Sequence, residues 1–298
     1  MPKAAVDPRK DPDVPAGMSI EMLQDLHLLT RDGQLNADAR RKLKQIRHLV
    51  GLLKPGIEDA LARSADPLVV DCGAGKSYLG ALLYELVLGP AGRGSLLAIE
   101  SRAELSAQAD ARAKRFGQAR FRTSASAIAD AVIPRKPSVV TALHACDTAT
   151  DDALALAITS GADHVAVVPC CQAEVARQLG DAHPDDAAVA TLFAHPLHRR
   201  ELGSHLTNVV RGLALAAHGY KVTVTELVGW EHSQKNELIL GKRVNRFDAR
   251  ARTELRALLE RFRVEPALVR TLTARGLDPR AEPAATAEPA EPAATALA

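Results

Sequence analysis

The sequence predicts an α/β fold with a mostly parallel, seven-stranded sheet and a helical extension before it. Three observations predict this fold. Short apolar runs alternate with longer amphipathic stretches over residues 67–243, which is the pattern of βαβ units. The first apolar run ends in an acid followed by a glycine turn. The last two runs are joined only by residues 229–235, which is too short for a parallel crossover, so we expect them to pair antiparallel.

The predicted elements divide the chain into five segments. The extension is expected to be helical because Leu43, Ile46, Val50 and Leu53 recur at helical spacing. Polar, proline-rich or low-complexity composition predicts disorder at both ends of the chain. The predicted strands are 68–71, 95–100, 119–123, 138–143, 164–169, 220–228 and 236–242. The segments are a disordered stretch at 1–17, the helical extension at 18–66, the sheet domain at 67–243, C-terminal helices at 244–280 (248–262 and 265–275), and a disordered Ala/Glu/Pro tail at 281–298.

Composition excludes some classes of function. The chain has 38 Lys and Arg against 36 Asp and Glu, a formal charge of +2, so no global field demands a polyanionic partner. It has no apolar stretch near the ~18 residues of a membrane span, and its N-terminus lacks the apolar core of a signal peptide. Four cysteines in a chain of this size do not indicate a disulfide framework, so a reducing cytoplasm is the expected location.

The first predicted strand and its turn are the most informative part of the sequence. A P-loop would need its first glycine at position 70, where the chain has Val70, so a triphosphate cradle is disfavoured. The dinucleotide fingerprint would need its third glycine at position 78, where the chain has Tyr78. What remains is acid-x-Gly-x-Gly before a helix, a turn that brings a ligand against backbone N–H groups. The full string is Leu68-Val69-Val70-Asp71-Cys72-Gly73-Ala74-Gly75-Lys76-Ser77-Tyr78-Leu79-Gly80.

This turn resembles motif I of class I S-adenosylmethionine (SAM)-dependent methyltransferases. The resemblance implies that the backbone of Cys72, Gly73, Ala74 and Gly75 approaches the methionine and ribose moieties of SAM. It also implies that Asp71 lies near the cationic end of the cofactor. SAM carries no phosphate, which agrees with the loss of both phosphate-binding patterns.

The second and third predicted strands carry further cofactor candidates. Glu100 ends the second run, where an acid is placed to accept hydrogen bonds from ribose hydroxyls. It lies farther from the turn than the ~20 residues usual in dinucleotide folds, because the loop at 88–94 adds length. After the third strand many class I enzymes have an acid that meets the adenine amino group. Here Ser124 or Ser126 would accept that hydrogen bond, more weakly.

All four cysteines follow the carboxyl ends of predicted strands. Cys72 follows the first strand, Cys146 the fourth, and Cys170 and Cys171 the fifth. In open α/β sheets this edge is where ligands bind. We therefore expect a pocket rim rich in thiols.

Four strings of the chain together carry a more specific resemblance. They are Asp71–Leu79, Leu143–Leu154, Val168–Cys171 and Glu231–Ile239. They are similar to the methyltransferase domain 32 group, which includes the methyltransferase-like part of the glutathione S-transferase C-terminal-domain-containing protein and many bacterial proteins. The match covers roughly residues 40–243. It implies a Rossmann-like class I methyltransferase fold and SAM binding, and it does not identify the methyl acceptor.

Three interpretations of the residues after the fourth and fifth strands are open. In the first, His144, Cys146 and Asp147 line the pocket, with His144 also beside SAM, and His144 or Asp147 orients the nucleophile or removes its proton. In the second, Cys146, Cys170 or Cys171 is a covalent nucleophile, as thiols at similar positions are in some RNA cytosine-C5 methyltransferases. In the third, His144 and these cysteines bind zinc. The Cys-x-x-Cys spacing is missing, so no metal is predicted. Cys170 and Cys171 would otherwise pack beneath the cofactor.

The sequence favours RNA as the methyl acceptor. The predicted helix at 38–54 has a basic face with almost no acids, and a second basic patch precedes the sixth strand. Such stripes hold phosphates without reading bases. The first stripe is Arg40, Arg41, Lys42, Lys44, Arg47, His48 and Lys54, and the second is His195, His198, Arg199, Arg200 and His205. A small-molecule or protein methyltransferase and a non-catalytic SAM-binding scaffold are the alternatives.

Overall fold

The computed structural model describes residues 11–281, apart from positions 13, 31–32, 34, 36, 144, 146, 170–171, 183–185 and 227–236 and the side chains at 38, 42, 45 and 46. The disorder expected at 1–10 and 282–298 lies outside these residues.

The predicted sheet forms, with the expected topology. Its strands are β1 Leu68–Cys72, β2 Ser95–Ile99, β3 Phe121–Ser124, β4 Val139–Leu143, β5 His164–Val168, β6 Tyr220–Glu226 and β7 Glu237–Arg243. Across the described residues their order is β3-β2-β1-β4-β5-β7-β6. β1 to β5 are parallel, and β7 is antiparallel to both β5 and β6. The predicted fold class, including the antiparallel last pair, is confirmed.

Helices cover both faces of the sheet. Further helices precede its first strand and follow its last strand in the chain. They are α1 Ile20–Asp25, α2 Ala37–Arg63, α3 Tyr78–Leu83 with a π-helical turn at Tyr84–Leu88, α4 Ala103–Arg115, α5 Ala149–Ser160, α6 Glu174–Asp181, α7 Ala187–Phe193, α8 Pro196–Ala217, α9 Ala249–Phe262 and α10 Ala267–Ala274. In the part of the chain with assigned positions, no helix is both long and apolar enough to cross a bilayer.

The central strand β1 is buried on both faces, as parallel strands in α/β folds are. Side chains alternate along a strand, so Val70 and Cys72 face one layer and Val69 the other. The first layer contains apolar residues of α5, α8 and α10, and the second contains those of α2, α3 and α4. Asp71 shares the side of Val69, which places a carboxyl group inside the second layer.

The helix α2 runs antiparallel to strands β1 to β5. Nη1 of its last residue, Arg63, lies 3.9 Å from Oδ1 of Asp163, which immediately precedes β5. Near its other end, Leu43 packs with Ala81 and Leu82 of α3, just after the glycine turn. We call the side of the sheet where β1 to β5 end the carboxyl edge, and the side where they begin the amino edge. The first half of α2 therefore extends toward the carboxyl edge.

The helical extension also holds part of the segment that was expected to be disordered. Val14 is buried in a cluster with Met22 and Leu23 of α1. Asp11 forms an ion pair of 2.6 Å with Arg40. These contacts fold the described residues before α1 onto the helices, so the expectation of disorder is wrong there. The polar, proline-rich composition did not indicate that Val14 would be buried or that Asp11 would pair with Arg40.

Candidate active site

The glycine turn after β1 forms a tight, left-handed loop at the carboxyl edge. Gly73 has φ +64° and Gly75 has φ +56°, conformations that L side chains rarely adopt. The Ala74 N–H donates to Ile99 O at 2.9 Å, which ties the turn to the end of β2. A Cβ at Gly75 would lie 3.9 Å from Arg102 Nη2, so the space over this residue is open to a ligand.

Glu100 lies directly beside this turn. One of its oxygens, Oε2, accepts from the Gly75 N–H at 2.7 Å, and the other, Oε1, accepts from Arg102 N and Nε at 3.0 and 2.8 Å. Burial, at 5 % exposure, opposes ionisation, but the hydrogen bonds from Arg102 and Gly75 outweigh it and hold the pKa of Glu100 below its usual range. A charged acceptor at the end of β2 fits the expected role toward ribose hydroxyls.

Asp71 lies under the turn. Its side chain is 2 % exposed, and Oδ1 accepts from Thr141 Oγ1 at 3.1 Å. Burial raises the pKa of Asp71 to about 7, although the Thr141 hydrogen bond opposes the rise. The expected position near the cationic end of SAM stays a prediction.

Among the described residues, two buried polar atoms near the turn have no hydrogen-bond partner. They are Asp71 Oδ2 and Ser77 Oγ, the latter in a residue that itself has φ +53° at the start of α3. Unpaired buried oxygens are costly, so this corner is suited to a polar ligand or its hydration water. With the open Gly75 backbone and an ionised acid at the end of β2, these residues fit SAM.

Cys72 does not contribute a thiol to a pocket rim. Its side chain is fully buried among apolar residues of the first layer, including Val140 and Ala142. Burial raises the pKa of this thiol well above its usual range, so the thiol is inert. Strand alternation is the reason, because the position after Asp71 must face the opposite layer. The predicted backbone contact of Cys72 with SAM is unaffected by this correction.

The third strand places its serines near the same edge. Ser124 ends β3, and its carbonyl oxygen accepts from the Glu100 N–H at 3.0 Å. Ser124 Oγ and Ser126 Oγ are 3.0 Å apart. Each hydroxyl therefore has a partner and a free lone pair, and the contact with adenine stays a prediction.

Asp147 is held by the following loop. It has φ +50°, and its Oδ1 accepts from Ala173 N at 3.1 Å and Glu174 N at 3.3 Å, which caps the start of α6. Its Oδ2 lies 3.5 Å from Arg177 Nη2. A carboxylate committed to a helix N-terminus and a guanidinium is poorly suited to remove a proton. The arrangement therefore favours a positioning role for Asp147 over the predicted catalytic one.

A buried ion pair beneath this edge was missed by the sequence analysis. Arg211 of α8 is 1 % exposed and donates to both oxygens of Asp151 at 2.8 and 2.9 Å. Its Nη2 also donates to Asp147 O at 3.0 Å. Arg211 therefore fixes the backbone that follows β4. The residues are 60 positions apart, and no local spacing indicated the contact.

The pair continues into an amide network that reaches two other segments. Asn208 Oδ1 accepts from Arg211 Nη1 at 3.2 Å and from Gln172 Nε2 at 3.0 Å. Asn208 Nδ2 donates to Glu237 Oε2 at 2.9 Å, at the first residue of β7. Gln172 follows β5, so α8 ties together the segments after β4, after β5 and before β7. The segments after β4 and β5 are those in which the sequence predicts pocket-lining residues.

Several predicted site residues lie outside the described part of the chain. They are His144, Cys146, Cys170 and Cys171. Their roles as pocket lining, nucleophile or zinc ligands stay predictions. Among the residues whose positions are described, no group of three or more His, Cys, Asp or Glu could hold a metal ion.

Strand order, the left-handed glycine turn and the acid that ends β2 together define a class I methyltransferase. Residues 41–178 match the Methyltransf_32 family model, described as a methyltransferase domain. This domain is a SAM-dependent methyltransferase of that class, with SAM as its cofactor. The match confirms, over these residues, the resemblance to the methyltransferase domain 32 group.

Comparison with other proteins adds distant likenesses. No curated protein matches the chain. An rRNA methylase from Streptococcus thermophilus is 12% identical, with 62% of this chain and 92% of that chain covered and a TM-score of 0.39. Magnesium protoporphyrin IX methyltransferase from Synechocystis PCC 6803 is 11% identical, with coverage of 75% and 93% and a TM-score of 0.42. A SAM-dependent methyltransferase from Aquifex aeolicus is 14% identical, with coverage of 67% and 98% and a TM-score of 0.37. Likeness at this level gives no information about the methyl acceptor.

Proposed function

We propose that this methyltransferase acts on RNA. The observation that carries the proposal is the first half of α2, which has no acid between Asp38 and Glu58. Arg41, Lys44 and Arg47 of this stretch are exposed. An unbalanced row of cations on one helix face attracts phosphates without reading bases.

The position of α2 supports the proposal. Its 27 residues span about 40 Å, and its C-terminal Arg63 lies at the amino edge. The basic half, from Arg40 to His48, therefore extends toward the carboxyl edge, where the glycine turn lies. A phosphate backbone held on this half would lie beside the methyl donor.

The cations of the two predicted stripes differ in how far their charge is compensated. Arg40 pairs with Asp11 and Arg200 pairs with Glu201 at 2.9 Å, whereas Arg47 donates only to the neutral Pro12 O at 2.5 Å. Arg41 and Lys44 have no ion pair with any described residue. Arg199, on the first half of α8, also has no ion pair with a described residue. We expect Arg41 and Lys44 to contribute most to RNA affinity.

The residues of the carboxyl edge support methyl transfer mainly by positioning. SAM, when bound, supplies a methyl group on a sulfonium centre. Gly73 and Gly75 leave the backbone open to it, and Glu100 offers an ionised acceptor to hydroxyls. Arg211 and Asn208 hold the segments on the acceptor side in place. The group that receives the acceptor's proton is proposed to be His144.

The experiment is incubation of the purified protein with methyl-labelled SAM and separate RNA, protein and metabolite fractions. Label in RNA is the expected result. Label in the protein or metabolite fraction would show that the acceptor belongs to that fraction and not to RNA. SAM binding with no transfer to any fraction would favour a non-catalytic scaffold.

A pair of variants tests the role of α2. Arg41→Ala with Lys44→Ala should lower RNA affinity roughly tenfold and reduce the slope of log affinity against log salt by about 2. The control is Lys114→Ala with Arg250→Ala, which removes two exposed cations elsewhere, each paired with an acid. An equal loss in both proteins would show a non-specific charge effect and contradict the proposal.

We also propose a cytoplasmic location. Cys72 is a buried free thiol, and the cysteine spacing does not indicate a disulfide framework. Cell fractionation followed by detection of the protein tests this.

A further inference from the structure

The amino edge of the sheet contains a cavity of about 490 Å³ that the methyltransferase reaction does not use. It lies where β1, β2 and β3 begin, on the opposite side of the sheet from the glycine turn. Four arginines and a single acid are among its lining residues: Arg93, Arg120, Arg122, Arg135 and Asp66. The volume is within the ~300–1,000 Å³ range of small-molecule sites.

Within the described part of the chain, an acid neutralises only one of the four arginines. Arg135 Nη2 lies 2.8 Å from Asp66 Oδ2 and also donates to Ser95 Oγ at 2.6 Å. The other three have no carboxylate within ion-pair distance among the described residues. Neutral carbonyl oxygens hold them instead, so their positive charges are fixed in place but not compensated.

The three hydrogen bonds orient the three side chains. Arg93 Nη1 donates to Ser64 O at 3.2 Å, Arg122 Nη1 to Ala119 O at 2.6 Å, and Arg120 Nη2 to Leu88 O at 2.8 Å. A carbonyl oxygen accepts one N–H and leaves most of the guanidinium fork available. Arginines oriented in this way lose little conformational entropy when they bind an anion.

Arg120 provides an independent indication of a missing acceptor. Its Nη1 is buried and has no hydrogen-bond partner among the described residues. The guanidinium also lies 5.5 Å from the centroid of the Tyr84 ring. A buried charged donor without an acceptor is costly, and an anion oxygen in the cavity would remove that cost.

The loop that lengthens the connection between β1 and β2 forms one wall of the cavity. It follows the π-helical turn at Tyr84–Leu88, whose last carbonyl is the one that Arg120 uses. Gly94 has φ +79°, and a Cβ there would lie 3.0 Å from Leu88 and 3.1 Å from Pro67. The close approach of this glycine brings Arg93 to the cavity. π-Helical turns occur often at functional sites.

We propose that this cavity is a binding site for the phosphate groups of a polyphosphate anion, separate from the SAM site. Several uncompensated guanidinium groups suit a ligand with several negative charges, and planar forks bind phosphate oxygens in pairs. The phosphates come either from a free polyphosphate compound or from a nucleic-acid backbone. The site does not depend on RNA being the methyl acceptor.

The experiment is a calorimetric titration of the full chain with inorganic tripolyphosphate. The variant is Arg93→Ala with Arg122→Ala, both exposed, and the control is Arg250→Ala with Lys114→Ala. Wild type and control should bind alike, and the variant should show a dissociation constant at least about tenfold higher. No binding to wild type, or equal binding to all three proteins, would overturn the proposal. SAM titration of the same proteins should be unchanged, which shows that the variant is folded.

A second arm identifies the source of the phosphates. A fluorescent single-stranded RNA is titrated into the same three proteins, with and without tripolyphosphate. RNA that loses affinity in the Arg93/Arg122 variant and is displaced by tripolyphosphate indicates a nucleic-acid backbone. RNA binding that is insensitive to both changes, beside lost tripolyphosphate binding, indicates a free polyphosphate. Tripolyphosphate binding that depends on Arg93 and Arg122, in a protein that transfers no methyl group to RNA, would contradict only the proposed function.

Discussion

The two edges of one sheet differ in how far their charges are compensated. At the carboxyl edge, Glu100 beside the glycine turn pairs with Arg102, and Arg211 pairs with Asp151. At the amino edge, Arg93 and Arg122 are held by neutral carbonyls. SAM is a cation without phosphate, so the carboxylate of Glu100 suits it, whereas the arginine edge suits anions. The strands set where loops lie, and the charges on the loops set what each edge binds.

The edges also differ in how their charges are held. The carboxyl edge depends on a buried ion pair whose members cannot be separated without a large cost. The amino edge uses exposed arginines that can change with little cost to stability. Changes at the first edge are therefore expected to affect folding, and changes at the second to affect binding alone.

The largest expected effect is the loss of the buried guanidinium. Arg211→Met should lower the free energy of unfolding by about 3–5 kcal/mol, because Asp151 stays buried without a cation. Urea denaturation measures this. In the control, Arg250→Met removes one partner of the exposed pair with Glu254 and should change the free energy of unfolding far less. Similar losses in both variants would show that burial does not raise the cost of losing the cation, and adding Asp151→Asn to Arg211→Met should restore part of the stability.

The next effect is a pH dependence that originates at Asp71. Its folded-state pKa of about 7 is above the unfolded value of about 3.9, so the folded state binds the proton more tightly. The stabilisation from this group is complete below about pH 4 and is lost as pH rises through 7. The wild type should therefore lose on the order of 4 kcal/mol relative to Asp71→Asn between pH 4 and 8. Urea unfolding of both proteins at several pH values tests this, and a constant difference between them would refute it.

The third prediction compares one glycine at each edge by its effect on ligand binding. Gly75→Asp should weaken SAM binding at least about 100-fold, because φ is +56° and the new carboxylate would enter the path of the cofactor beside Glu100. Gly92 is the matched control, since it has φ +66° and nothing within 4 Å of a Cβ. Gly92→Asp should leave SAM affinity within about twofold and weaken tripolyphosphate binding by charge repulsion. Calorimetry with both ligands tests the pair, and equal effects on SAM would mean that the turn is not the cofactor site.

Local pattern was sufficient for the fold and for the glycine turn. Val70 and Tyr78 excluded the two phosphate-binding loops because each motif depends on glycine at one position. The short 229–235 connection predicted the antiparallel last pair because parallel strands need a longer crossover. The side chain of Cys72 was assigned wrongly, since a residue after an inward-facing acid must face the opposite layer of the sheet.

By itself, the sequence determined the fold class, the glycine turn and the acid that ends the second strand. Each of these depends on neighbours within a few residues. Only the tertiary structure decided which charges are compensated. Arg211 meets Asp151 across 60 positions, and the arginines of the amino edge come from separate loops that the sheet brings together. Compensation depends on distances between side chains that are remote in the chain, and no periodicity or spacing encodes those distances.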